Sequence, residues 1–149
     1  MKAGQYFALI IGGFLLALGI IGFIPGLVHY TGATSGVSEA YGIRYGYILG
    51  IFPINGIHNF IHMVTGVMGI AASLSLGASR IYSRLLAGFY GLLSVLGLIP
   101  YTNTLFGTVP IFGSDVLLHA LTAVPAFYYG FIASPGLLEL SSNPQENPQ

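Results

Sequence analysis

Two short polar pairs stand out in an apolar chain: His58 with His62, and Asp115 with His119. In each pair the residues are four apart, which places both side chains on one face of a helix. Three imidazoles and one carboxylate make a three-nitrogen, one-oxygen donor set suited to zinc, copper or iron. The same residues could instead supply His62 and His119 as the two axial ligands of a b-type haem. Close helix packing favours the metal ion, because a macrocycle between two histidines forces their helices apart. A plainer reading is a polar clamp, with His58 bonded to Asp115 and His62 to His119 or Thr122. Such pairs between membrane helices are worth about 0.6–2 kcal/mol, yet they fix which faces meet. In that reading Asn55, His58, Asn59, His62, Thr65, Asp115, His119 and Thr122 form one structural polar cluster. Asp115 then needs no catalytic role, since the start of a helix favours its charge.

The pairs belong to a repeat. Residues 50–66 read GIFPINGIHNFIHMVTG, and residues 107–123 read GTVPIFGSDVLLHALTA. Without gaps, Gly50, Pro53, Ile54, Gly56, His62 and Thr65 fall on Gly107, Pro110, Ile111, Gly113, His119 and Thr122, while His58 falls on Asp115. A second offset, of 75 residues, carries Gly13-Phe14 onto Gly88-Phe89 and the run Gly22-Phe23-Ile24-Pro25 onto Gly97-Leu98-Ile99-Pro100. The chain therefore reads as two hairpins in direct repeat, related by a pseudo-twofold axis along a membrane normal. The offsets differ by 18 residues, so the first loop is longer than its counterpart by that amount.

The elements that must position these residues are apolar helices. The expected spans are residues 5–24, 56–76, 81–99 and 114–133, in a transmembrane domain of residues 1–134. The run after Lys2 resembles a secretory signal, but it is half of the repeat and is expected to stay in the mature protein. Residues 26–49 form a Gly-, Tyr- and Ser-rich outer loop. Its Tyr41, Tyr45 and Tyr47 suit a membrane–water interface, and it has room for a short interfacial helix. Asn55 is the expected N-cap of the second helix, residues 77–79 the expected turn, and Pro125 should kink the fourth helix. Residues 135–149 form a polar, proline-containing tail expected to be disordered. Small residues continue the polar stripes, as Thr65, Gly69 and Ala72 on the second helix and Thr122 and Ala126, ahead of Tyr129, on the fourth, so these two faces should meet or line a common interior.

Composition sets the class. The 149 residues are 54% hydrophobic and 5% charged, against about 25% charged in ordinary soluble chains. That points to an integral membrane protein with the lipid bilayer as its surroundings. A net charge of zero leaves no basic footprint for nucleic acid. The absence of cysteine excludes disulfides, thiolate metal sites and cysteine nucleophiles. Lys2, Arg80 and Arg84 fall on one side and Arg44 on the other, so both termini and the middle turn should be cytoplasmic. Arg80 and Arg84 are expected to set topology and meet anionic lipid heads. His29 reads as an ordinary interfacial residue, and the tyrosines as belt and packing residues. A proton relay is disfavoured because the ionisable groups cluster toward the outer side. No serine–histidine–acid set and no phosphate loop suggest an enzyme.

FPIN with HNFIH, a middle turn of the ASRIYSR type, and LFGTVPIFGSDVLLHALTA together resemble a family of short bacterial four-helix membrane proteins. That family is catalogued as a domain of unknown function and is frequent in actinobacteria and cyanobacteria. The resemblance runs over about residues 6–130, and Asn55, His58, Asn59, His62, Asp115 and His119 match its specific segments. It implies the four-helix fold, a bacterial plasma or thylakoid membrane, and a link to photosynthetic or stress-related complexes. It implies no activity. The expectation is thus an all-α, integral membrane four-helix bundle of two repeated hairpins, acting without catalysis as an accessory or assembly component of a membrane complex or homo-oligomer. The alternative is a haem- or transition-metal-binding membrane protein using His58, His62, Asp115 and His119.

Overall fold

The computed structural model describes residues 1–30 and 45–133. Most of the outer loop, including Tyr41 and Arg44, and the tail at 135–149 lie outside the described residues. The described chain is mostly helical. Helix α1 (Ala3–Ile21) is almost wholly apolar, and its start is tied by the Gln5 side chain, which accepts from the Lys2 backbone N–H at 2.8 Å. A 3-10 turn (Pro25–Leu27) leads into strand β1 (Val28–Tyr30), followed by β2 (Gly46–Ile48) and β3 (Phe52–Ile54). Helix α2 (Gly56–Ala72) starts at Asn55, whose side chain accepts from His58 N at 2.9 Å. Helix α3 (Leu76–Gly97) starts at Ser75, which accepts from Ala78 N at 3.4 Å. Helix α4 (Ser114–Phe127) widens into a π turn (Tyr128–Ile132).

The sheet corrects the all-α expectation. Its order is β1-β2-β3, antiparallel throughout, with Val28 opposite Ile48 and Tyr47 opposite Pro53. Strands of three residues are too short to show a period of two. Pro53 also argues against a strand unless the strand is at an edge, where a missing donor is tolerated; β3 is such an edge. Val28, Ile48 and Ile54 pack on Leu18 and Leu118, so the sheet covers the end of the helices where α1 finishes and α4 begins.

Helix bounds also shift. The chain turns at residues 73–75, five residues before the expected third helix, because Ser75 supplies a cap and Gly77 is tolerated within a first turn. Pro125 lies inside α4, and the wider π register begins three residues later, at Tyr128.

The most extensive helix contacts are α1 with α2 and α3 with α4. Backbones nearly touch in the first pair: a Cβ on Gly12 would lie 2.7 Å from Ile70 N, and one on Gly66 would lie 2.4 Å from Leu16 N. Of the two expected arrangements, α2 and α4 do not approach closely along their small residues; their polar residues face a shared interior. Gly66 and Gly69 of α2 instead admit α1 and the Tyr82 hydroxyl, and the backbones of α2 and α4 are not closely packed. A glycine stripe sets how near a neighbour can come, but not which neighbour.

Among the described residues two helical segments, Ala3–Ile21 and Ser114–Ile132, each 19 residues long, are apolar enough to cross a membrane.

Candidate metal centre

Long side chains bridge the space between α2 and α4. His58 and His62 come from the first two turns of α2, oriented by the Asn55 cap. Asp115 and His119 come from the first two turns of α4, whose start follows Gly113 at φ 64°. All four side chains are buried.

One potential ligand atom from each of His58, His62 and His119 lies within 4.8 Å of the other two. The His58 and His62 rings are 4.4 Å apart, and His58 and His119 are 5.9 Å apart. Asp115 Oδ2 is 3.6 Å from His58 Nε2 and 3.2 Å from His119 Nε2. These contacts are not hydrogen bonds. No ring nitrogen of the three histidines and neither oxygen of Asp115 has a hydrogen-bond partner. The Pro53 and Pro110 carbonyls, equivalent in the repeat, approach His58 without hydrogen-bonding geometry.

A buried polar clamp should be satisfied, because each orphaned polar group costs about 1–3 kcal/mol, and more if charged. Here no polar atom of four adjacent side chains meets hydrogen-bonding geometry. The separations suit another role. A tetrahedral ion with bonds of 2.0–2.1 Å holds its ligand atoms about 3.3 Å apart; the two distances to Asp115 bracket that value, and the three histidine atoms, within 4.8 Å of one another, would draw together on an ion. Haem fits poorly. His62 and His119 rings are 6.4 Å apart, but His58 and Asp115 crowd the gap where a porphyrin would lie.

The remaining polar residues have other roles. Thr65 and Thr122 donate to backbone carbonyls one turn back, Ile61 at 2.8 Å and Leu118 at 2.9 Å. Asn55 donates to the Thr108 carbonyl at 2.7 Å. Asn59 is buried against Gly22 of the chain after α1, its Oδ1 also without a hydrogen-bond partner. His29 is exposed on β1.

Tyr90 belongs to the centre although the sequence reading passed over it. Its buried ring lies parallel to His62 at 6.2 Å and edge-on to His119 at 5.2 Å. Its hydroxyl meets Thr65 Oγ1 at 3.1 Å. Thr65 also borders an apolar cavity of about 300 Å³ between α2 and α3, lined by Met68, Tyr82, Leu85, Leu86 and Phe89. The missed signal was in the repeat: 75 residues before Tyr90 stands Leu15, equally buried in the same core cluster. A polar residue at a position that is apolar in the other half marks divergence, as Asp115 does against His58.

No curated protein and no solved structure matches this chain. A family model does, over residues 5–132. The chain therefore belongs to the family described as a domain of unknown function, DUF4383.

Proposed function

We propose that the protein is an integral membrane protein that holds one transition-metal ion between two duplicated hairpins, with His58, His62, His119 and Asp115 as donors. One observation carries the reading: two imidazole nitrogens stand 3.2 and 3.6 Å from a single carboxylate oxygen, all are buried, and none is hydrogen-bonded. With no thiolate or thioether in the set, the donors suit zinc(II), copper(II) or iron(II) better than copper(I). Complete burial suits an ion that fixes the fold or carries an electron better than one that must admit water.

The membrane reading is supported by an inverted surface. Ile10, Phe60, Leu85 and Leu121 are exposed on the four helices, while the histidines, Asn59, Asp115 and Arg80 are buried. The duplication is supported by the backbone. Leu49 and Gly50 have φ of 51° and 73°, and Phe106 and Gly107, 57 residues later, have 55° and 93°. The halves also grip each other through equivalent carbonyls: Asn55 donates to Thr108 O, and the Ser114 hydroxyl donates to Ile51 O. In this reading the histidine end faces outward and the turn between α2 and α3 faces the cytoplasm of a bacterial cell.

The test is the metal content of protein purified from membranes in detergent without chelator. About one zinc, copper or iron per chain is expected, with none in His62→Ala or His119→Ala. A wild-type protein free of stoichiometric metal, even after incubation with each ion, would overturn the proposal.

A further inference from the structure

The opposite end of the molecule has its own unsatisfied group. Arg80 and Arg84 lie one turn apart near the start of α3, and Nε of each donates to the same Gly130 carbonyl, at 3.0 and 2.9 Å. Arg80 is only 6% exposed, and its Nη1 is buried without a hydrogen-bond partner. Arg84 is half-buried, its guanidinium 5.1 Å from the centre of the Phe131 ring. The convergence of two guanidinium groups on one neutral carbonyl leaves two positive charges without an acidic partner among the described residues. Among the described residues the sole acid is Asp115, which precedes Gly130 by 15 residues, about 22 Å along a helix. The start of α1 is at this same end, where Gln5 donates to Ser73 O at 2.9 Å, so Lys2 adds positive charge there.

We infer that Arg80 and Arg84 form a binding site for a phosphate group at the end of the molecule opposite the histidines. Guanidinium forks match phosphate oxygens in geometry as well as charge. The shared Gly130 carbonyl holds the two forks side by side and keeps them from folding out into solvent. Gly130 itself cannot carry a side chain, because a Cβ there would lie 2.9 Å from Arg84 N. The phosphate comes from an anionic lipid headgroup or from a free anion. This inference is independent of the metal centre and requires no metal.

The experiment measures the unfolding temperature of the full chain in an uncharged detergent. Phosphatidylglycerol, a phosphate-free galactolipid and inorganic phosphate are titrated separately. Phosphatidylglycerol is expected to raise the midpoint and the galactolipid to leave it lower. In Arg84→Gln, which changes the half-buried member and spares the buried one, the apparent affinity should fall about tenfold, as expected for losing a charge-assisted pair. A matching response to inorganic phosphate supports the same site with a free anion as its ligand. Equal responses to the two lipids with none to inorganic phosphate, or an unaltered response in Arg84→Gln, would overturn the inference. So would a phosphate response that is absent from the wild type and appears only in Glu139→Gln with Glu146→Gln, since a carboxylate of the chain would then be the native counter-charge.

Discussion

His119 Nε2 and Asp115 Oδ2 stand 3.2 Å apart on successive turns of α4, and no hydrogen bond joins them. Asp115→Asn keeps the shape and removes the charge, so it separates a ligand from a clamp. As a ligand, the carboxylate adds nothing to stability when the ion is absent, because a buried acid without a partner is an orphan in either protonation state. Metal-free Asp115→Asn should therefore be no less stable than metal-free wild type, while its metal content falls. Unfolding with and without chelator checks both. A clamp gives the reverse: lower stability and no metal dependence.

Metal removal from the wild type should be destabilising in proportion to how far the ion saturates the native state. At free metal of 100 to 1,000 times the dissociation constant the linkage amounts to about 3–4 kcal/mol. Dialysis against a strong chelator should lower the unfolding midpoint, and restoring the ion should recover it. His62→Ala should unfold at one midpoint under both conditions.

Tyr90 offers a finer test. Tyr90→Phe keeps the ring against His62 and His119 and loses only the contact of its hydroxyl with Thr65 Oγ1. It should cost about 1 kcal/mol and retain the metal. Tyr90→Leu, which restores the residue of the first half at that position, removes the ring from both imidazoles. It should lower metal affinity as well as stability. Metal titrations of the two variants distinguish a ring that positions ligands from one that only fills space.

What the sequence revealed depended on rarity. His58, His62, Asp115 and His119 were legible because polar residues are scarce in an apolar chain and the repeat put them in register. The partner of a small-residue stripe was not legible: Gly66 and Gly69 meet α1 and Tyr82, and α4 stays apart from them. The sheet was hidden because three-residue strands containing glycine and proline carry no periodic pattern. Arg80 read as a headgroup-facing charge, since nothing in the sequence shows that the Gly130 carbonyl would accept from both arginines.

The tight α1–α2 contact predicts opposite outcomes for two glycines of similar context. Gly66→Ala places a Cβ 2.4 Å from the Leu16 backbone N, so a helix must move. It should cost about 1–3 kcal/mol, the usual range for overpacking. Gly13→Ala meets nothing within 4 Å and should gain roughly 0.5–1 kcal/mol from helix propensity. Denaturation in detergent compares the two.

The chain has no cysteine, so single cysteines report sidedness without background. Leu74, in the turn between α2 and α3, is 85% exposed, and Tyr101, beyond the end of α3, is 83% exposed. Helix α3 spans 22 residues, about 33 Å, enough to place the two on opposite faces of a hydrocarbon core about 30 Å thick. In intact cells Tyr101→Cys should react with a membrane-impermeant maleimide. Leu74→Cys should react only after permeabilisation if the end bearing Lys2, Arg80 and Arg84 is cytoplasmic, as the positive-inside rule assigns it. Reaction of both in intact cells would place them on one side, so α3 would not cross the membrane and the histidines would lie near the surface that reacts.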